Sequence, residues 1–304
     1  MSILNFGSLN IDFVYDVSDF VTKGQTITSH DLNRYPGGKG LNQSIAVGKA
    51  GAQVSHAGLI GEDGTFLRDL LQEAGVDTSE VRVSEQVRSG NAIIQRNSDS
   101  DNCIILFSGA NRAFTEDFVD EVLAKFGEGD WLLVQNETNM LPYIVRRAHE
   151  RGMQVAMNPS PADSLLKDVD LNLIDCFILN EGEAQVITGQ SGSPEVLLEG
   201  MSEQFPEAAI ILTAGSWGSA YAKGAQRVRQ NAYRVPVEDT TGAGDTFTGY
   251  VLANMVAGVD MAECLDRASR AAAIAVSRQG AATSIPLADE VEHFQSTPIA
   301  TTEE

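Results

Sequence analysis

Short apolar runs alternate along the chain with longer segments in which apolar residues recur every three or four positions. The short runs include ILNF, WLLVQ, CFILN and AIILT, which are typical of buried strands. The longer segments, such as FLRDLLQEAG, are typical of helices packed against a core. Several of these segments end at a glycine, which is common at the C-terminus of a helix: Gly51, Gly75, Gly152 and Gly189. This alternation predicts an α/β fold with a central, mostly parallel sheet flanked by helices.

Two regions, residues 13–36 and residues 81–108, interrupt the alternation. Both contain strand-like runs without a helix between them, and the second includes VRVS and a turn-rich SDSDN. We expect a small antiparallel β subdomain that either extends the main sheet or folds as a lid over its C-terminal edge, where α/β sites lie. We expect the final residues, STPIATTEE, to form a frayed tail.

The charge of the chain limits its partners. It has 304 residues, of which 43% are hydrophobic, and 42 acidic against 21 basic side chains give a net charge of −21. The resulting field repels polyanions, so we expect neither nucleic acid nor a membrane surface as a partner. The N-terminus has no basic segment followed by an apolar run, and three widely spaced cysteines (Cys103, Cys176 and Cys264) suit reduced, buried thiols. We therefore expect a cytoplasmic protein.

The segment DTTGAGDTFTGY at residues 239–250 contains the first candidate catalytic residue. Phe247, Val251 and Met255 are spaced as on one face of a helix that begins near Asp245. The glycines before it allow backbone N–H groups to converge, and with the helix dipole they can hold phosphate oxygens. A carboxylate at that position could accept the proton of a hydroxyl group that attacks the phosphate. Alternatively, the glycines make only a tight turn and Asp245 only complements the helix dipole.

GGKGLNQ at residues 37–43 is a second glycine-rich turn before a helix, with Lys39 and Asn42 as donors. It matches neither the phosphate-binding P-loop nor the dinucleotide fingerprint, and the absence of the fingerprint argues against a nicotinamide oxidoreductase.

Polar residues also follow two of the predicted strands. Asn10 and Asp12 in GSLNID could bind vicinal hydroxyls, and Asn180 and Glu183 in ILNEGE could organise Mg²⁺ through water. Taken alone, Asn10 and Asp12 are better explained as ordinary polar loop residues, and a Glu-rich helix start explains Asn180 and Glu183 equally well.

Together these segments resemble the ribokinase-type (PfkB) carbohydrate kinase family, from Asn5 to about Pro286, with GGKGLNQ and DTTGAGD as the most specific parts. The resemblance implies one ribokinase-like α/β domain over residues 1–304. It also implies that residues 13–36 and 81–108 form a β lid, which often serves in the family as the dimer contact. A homodimer is therefore expected.

The resemblance also implies roles for individual residues. Asp245 would be the catalytic base, beside an anion hole made by Gly242, Ala243 and Gly244. The sugar would be held by Asn10, Asp12, Gly38, Lys39, Asn42 and Glu137, together with Asp245. The nucleotide would contact Asn180, Thr213, Gly215, Gly218, Gly244 and Ser269. Glu183 would place Mg²⁺ through water, and K⁺ would lie in a loop formed by Asp239, Thr241, Ala275, Arg278, Gly280 and Ser284.

The implied activity is ATP-dependent phosphorylation of the primary hydroxyl of a pentose, D-ribose at O5, to give ribose 5-phosphate. Deoxyribose, fructose, 2-keto-3-deoxygluconate and nucleosides are alternative substrates, because a few lid side chains set the size of the pocket. A non-catalytic sugar sensor is a further alternative. Three features depart from the family pattern: Tyr250 replaces a small residue, Trp217 is bulky within the nucleotide loop, and residues 61–67 lack the usual glycine spacing.

Overall fold

The structure, a computed structural model, describes residues 1–98 and 101–299. Its larger sheet has nine strands, in the spatial order Gln226–Gln230 (β13), Ser219–Lys223 (β12), Ala209–Thr213 (β11), Cys176–Asn180 (β10), Gln154–Asn158 (β9), Trp131–Gln135 (β8), Ile3–Phe6 (β1), Val54–Gly61 (β4) and Asp77–Ser84 (β5). All pairings from β11 to β5 are parallel, and only β12 and β13 are antiparallel additions. The predicted mostly parallel α/β sheet is confirmed.

Helices cover both faces of this sheet. They are Lys39–Lys49 (α1), Thr65–Glu73 (α2), Glu116–Leu123 (α3), Leu141–Glu150 (α4), Glu181–Thr188 (α5), Pro194–Gln204 (α6), Ala243–Val256 (α7), Met261–Val276 (α8) and Ala288–Glu292 (α9). Successive residues of a strand point to opposite faces, so Ile3 joins a core cluster with α1, α7 and α8, whereas Leu4 joins a second cluster with α3, α4 and α6. The four predicted helix-ending glycines all have positive φ angles, between 68° and 90°.

A smaller, separate sheet contains the strands Asp31–Gly37 (β3), Asn10–Asp16 (β2), Gly90–Arg96 (β6) and Asn102–Phe107 (β7), in that spatial order. Two of its three pairings are antiparallel, and β2 pairs with β6 in parallel. It does not extend the larger sheet, which decides between the two alternatives. Only three residues separate β1 from β2, so the smaller sheet begins directly at the carboxyl edge of the larger one.

Residues 81–84 are a correction to the expected lid boundaries. They belong to β5, which pairs in parallel with β4 at the edge of the larger sheet. The apolar pattern identifies them as a strand, but pattern alone does not decide which sheet a strand joins. The first strand of the smaller sheet also begins earlier than expected, at Asn10.

The expected frayed tail is partly wrong as well. The Arg234 N–H donates to the Thr297 carbonyl at 3.1 Å, and the Ile299 N–H donates to the Ala232 carbonyl at 2.7 Å. Residues 300–304 of the expected tail lie outside the described residues.

Cys176 and Cys264 are buried as expected, whereas Cys103 on β7 is exposed. In the part of the chain that the structure describes, no helix combines the length and apolar character needed to cross a bilayer.

Candidate active site

The first turn of α7 lies at the centre of the site. Gly242 caps the helix in the left-handed conformation, with a φ of 77°, and its carbonyl accepts both the N–H and the hydroxyl of Thr246. The first turn of a helix leaves backbone N–H groups without carbonyl partners within the helix. Gly244 therefore offers an N–H group beside Asp245, which is only 7% exposed, whereas the Ala243 N–H donates to the Thr240 carbonyl at 3.3 Å. The sequence-predicted combination of a helix N-terminus and a carboxylate is present in the structure.

Two amide side chains from α1 orient the Asp245 carboxylate. Asn42 Nδ2 donates to Oδ2 and Gln43 Nε2 donates to Oδ1, each at 2.9 Å. The two helices approach closely because α7 has a glycine at the contact: a Cβ on Gly249 would lie 2.3 Å from the Ala46 Cβ. Both oxygens of Asp245 are thus fixed before any ligand binds.

Gln43 is itself held by a buried network. Its Nε2 also donates to Asn158 Oδ1 at 3.1 Å, and its Oε1 accepts from Gln135 Nε2 at 2.7 Å. Gln135 donates in addition to Asn5 Oδ1 at 3.0 Å. Sequence patterns predict none of these roles, although amide side chains within otherwise apolar strands are a usable signal, since buried polar groups need partners.

Glu137 follows β8 and joins the two glycine-rich N-terminal segments. Its Oε2 accepts the Ser8 hydroxyl and the Lys39 N–H, the latter at 3.0 Å. Burial raises the pKa of Glu137 above its ordinary value, against the effect of these hydrogen bonds.

Lys39 lies among carboxylates. Burial alone would lower the pKa of its ammonium group, but the charges of Asp245, Glu137 and Glu183 outweigh that effect and raise the pKa. Lys39 therefore keeps a positive charge at the centre of the site. Gly38, with a φ of 96°, allows this approach, because a Cβ there would lie 2.9 Å from the Ser8 carbonyl oxygen.

Asn10 and Asp12 lie two positions apart on β2 and therefore face the same side of the smaller sheet. Asn10 Oδ1 accepts from Asn111 Nδ2 at 2.7 Å, and Asn111 Oδ1 accepts the Leu9 N–H at 2.9 Å. No sequence motif marks Asn111, which lies in a short turn after β7. Burial, and next the charge of Glu137, raise the pKa of Asp12 to about 6.

Replacement of this carboxylate, Asp12→Asn, is expected to raise the free energy of unfolding at pH 8 by about 1–3 kcal/mol. Above pH 6 the native protein carries an ionised, desolvated carboxylate, which opposes folding relative to the unfolded chain, where the pKa is near 3.8. The gain should shrink as the pH falls from 6 towards 4, because the native carboxylate becomes protonated over that range. Urea unfolding at pH 8 and pH 4.2 measures this, with the exposed Asp69→Asn as the matched control. An equal gain at both pH values would contradict the assignment.

Two adjoining cavities lie at the first turn of α7. The larger, about 450 Å³, is mostly apolar and is lined by the predicted nucleotide residues Thr213, Gly215, Gly218, Gly244 and Ser269. The smaller, about 230 Å³, is polar and is lined by Lys39, Asn180, Glu183 and Asp245. Thr213, Thr240 and Gly244 line both, so the two cavities meet at the start of α7.

Asn180 and Glu183 form a capping box at the start of α5. Asn180 Oδ1 accepts the Glu183 N–H, and Glu183 Oε2 accepts the Asn180 N–H, both at 3.0 Å. This capping fixes the Glu183 carboxylate at the smaller cavity through one of its two oxygens.

The predicted K⁺ loop, called the cation loop below, packs against the glycine turn at residues 242–244, called the anion turn. Asp239 Oδ1 accepts the Thr241 N–H at 2.9 Å, and Oδ2 accepts the Gly280 N–H at 3.0 Å. Burial alone would raise the pKa of Asp239, but these hydrogen bonds and the charge of Arg96 lower it. The other predicted members are tied by short local bonds: the Arg278 N–H donates to the Ala275 carbonyl at 3.1 Å, and the Ser284 hydroxyl donates to the Ala281 carbonyl at 2.8 Å.

The sequence matches the family model of pfkB family carbohydrate kinases over residues 2–288. The chain belongs to this family. The ribokinase of Haemophilus influenzae is 34% identical over 296 residues, which cover 95% of this chain and 96% of that protein. The pfkB assignment expected from the sequence is confirmed.

Solved structures agree with the fold. The Arabidopsis thaliana ribokinase complexed with ribose and ATP superposes with a TM-score of 0.87 at 27% identity, covering 97% of this chain and 99% of that chain. The Cryptococcus neoformans var. grubii ribokinase in complex with ADP gives a TM-score of 0.85 at 31% identity, covering 96% and 98%. The chain therefore has the ribokinase-like α/β fold.

Two departures from the usual pfkB pattern have structural explanations. The Trp217 indole donates to Glu195 Oε1 at 3.1 Å and lies under the Arg229 guanidinium, 4.2 Å from the ring centroid. It does not line the larger cavity, so its bulk leaves that space open. Tyr250 is buried and donates its hydroxyl to the Pro286 carbonyl at 2.9 Å, which ties α7 to the end of the cation loop.

Proposed function

We propose that the protein is a cytoplasmic, ATP-dependent kinase that transfers the γ-phosphoryl group to O5 of D-ribose, giving ribose 5-phosphate and ADP. The observation that carries the proposal is the Asp245 carboxylate, held by Asn42 and Gln43 at the first turn of α7, where it lines the polar cavity next to the apolar one. The 34% identical relative is a ribokinase, which supports ribose as the sugar.

Asp245 acts as the base in this mechanism. Its carboxylate accepts the proton of the sugar hydroxyl as the hydroxyl oxygen attacks the γ-phosphorus, and the bond to the β–γ bridging oxygen breaks, which releases ADP. Lys39 and the N–H groups of Gly242 and Gly244 stabilise the charge on the transferring phosphoryl oxygens. The proton then leaves Asp245 for solvent.

Sugar and nucleotide enter from opposite sides of Asp245. Asn10, Asp12, Gly38, Lys39, Asn42 and Glu137 orient the sugar under the smaller sheet, which acts as a lid within a single functional unit. The apolar cavity takes the base of ATP, with Thr213, Gly215, Gly218 and Ser269 in its wall. The polar cavity takes the phosphates, close to Asn180.

The residues present fit both expected cations. Glu183 is buried at the smaller cavity with one oxygen outside the capping box, which suits a water-held Mg²⁺. Asp239, Thr241, Ala275, Arg278, Gly280 and Ser284 supply oxygen atoms for K⁺, and the Arg278 guanidinium is paired with Glu290 rather than directed at that loop. The cations would supply positive charge beside the phosphoryl group and the anion turn.

The smaller sheet supports a homodimer. Four consecutive side chains on its edge strand β7, Ile104 to Phe107, are 53–60% exposed. A second copy of the same strand would cover this apolar surface and complete an unpaired sheet edge. Sedimentation velocity tests this, and a purely monomeric protein would contradict it. The net charge of −21 supports the expectation of no nucleic-acid or anionic-membrane partner.

The proposed activity is tested by ADP release from ATP against ribose, deoxyribose, fructose, 2-keto-3-deoxygluconate and nucleosides, with Mg²⁺ and either K⁺ or Na⁺. We expect the highest kcat/KM with ribose and faster turnover in K⁺. Faster turnover with another acceptor would keep the mechanism and replace the substrate. Binding of ribose without ADP release from any acceptor would favour a sensor instead.

A further inference from the structure

One wall of the larger cavity has no helix or sheet of its own. Residues 232–237 connect β13 to the segment before α7, and five of them line the cavity: Ala232, Tyr233, Arg234, Val235 and Val237. A connecting segment without regular structure needs outside partners for its backbone groups.

The C-terminal segment, residues 296–299, supplies those partners. It pairs with the wall at both ends, through the Arg234–Thr297 and Ile299–Ala232 backbone bonds, and these flank an isolated bridge between Tyr233 and Pro298. The Ser296 hydroxyl adds a bond to the Arg234 carbonyl at 2.6 Å. The wall is therefore held by the last described residues of the chain.

Tyr233 connects this pairing to the rest of the fold. Its ring packs edge-on against Phe294, with the centroids 5.4 Å apart, and its hydroxyl donates to Asp266 on α8. Asp266 is fixed in turn by Arg270 at 2.7 Å. The C-terminal segment and α8 thus fix the wall from two sides.

Ile299 also lines the larger cavity directly. It is half-buried and lines the cavity, whereas its neighbours Thr297 and Pro298 are exposed. The family match ends at residue 288, so this contribution comes from outside the matched region.

We propose that residues 296–299 form part of the nucleotide site, in which Ile299 packs against one face of the purine base and the backbone pairing fixes the wall formed by residues 232–237. This inference rests on the proposed function, because it takes the larger cavity as the site of the nucleotide base. Loss of the apolar contact from Ile299 is expected to weaken nucleotide binding by about five- to thirtyfold.

The test compares Ile299→Ala, a chain ending at Gln295, and the exposed Val186→Ala as a matched aliphatic control. ADP binding is measured by calorimetry without sugar, and the KM values for ATP and for the sugar are measured separately. We expect the ADP Kd and the ATP KM to rise about five- to thirtyfold in Ile299→Ala, and further in the shortened chain. The sugar KM, and kcat at saturating ATP, should stay within about twofold of the starting protein.

The outcomes separate the two proposals. An ADP Kd within twofold of the starting protein in both altered proteins, with the thermal unfolding midpoint of Ile299→Ala unchanged, would overturn this inference and leave the kinase activity intact. An equal rise in the sugar KM would also overturn it, since that indicates a general disturbance. Failure of the unaltered protein to bind ADP or to phosphorylate any sugar would overturn the proposed function and this inference together.

Discussion

Asp245→Asn is expected to lower kcat by about two to four orders of magnitude, because the amide cannot accept the proton of the attacking hydroxyl. The fold should tolerate the change. Asn42 Oδ1 is buried without a hydrogen-bond partner among the described residues. Rotation of the Asn42 amide therefore gives the new NH₂ group an acceptor while Gln43 keeps its own bond.

Three measurements separate loss of the base from loss of structure: kcat for ADP release, sugar affinity by calorimetry, and the thermal unfolding midpoint. Asp77→Asn is the matched control, because both of its oxygens also accept hydrogen bonds, from Ser79 and Ser55, at an exposed position on β5. We expect the Asp77 variant to keep its turnover and the Asp245 variant to keep its sugar affinity. Turnover within tenfold of the starting protein in Asp245→Asn would contradict the role of the base.

The part of the site nearest Asp245 is predictable because it is local. The glycines, the carboxylate and the helix start lie within one turn of chain, and their spacing alone predicts an anion turn with a carboxylate inside it. Gln43 and Asn158 were not predictable in this way, because they reach Asp245 only through the packing of α1 on α7 and of β9 beside β10. Contacts over such sequence separations leave no periodic pattern.

In the fold too, features set by neighbouring residues are predictable from the sequence, whereas features set by distant contacts are not. Strand and helix alternation predicts the parallel sheet, since each element is recognised from its own residues. Whether residues 81–84 join the smaller or the larger sheet depends on pairing with β4, which the apolar pattern does not encode. The expectation of a frayed tail at residues 296–299 is wrong for the same reason, because the partners of this segment lie some sixty residues earlier in the chain.

Gly242→Ala is expected to lower kcat by about two to three orders of magnitude, comparable to the loss of a backbone donor from an oxyanion hole. Gly242 has a φ of 77°, which strains any residue with a Cβ, and that Cβ would lie 2.9 Å from the Ala281 Cβ. Relief of this contact moves either the anion turn or the cation loop. Either movement would displace the Gly244 N–H or the cation loop beside it from the position proposed for holding the phosphoryl oxygens.

Gly258→Ala gives a control at the other end of the same helix. Its φ of 75° imposes nearly the same backbone strain, but nothing lies within 4 Å of a Cβ at that position. Both variants should therefore lose about 1 kcal/mol or more of unfolding free energy, measured by urea unfolding. Only Gly242→Ala should lose kcat, while its sugar affinity stays unchanged. Equal kcat in the two variants would mean that the turn before α7 shapes the helix but does not hold the transferring phosphoryl group.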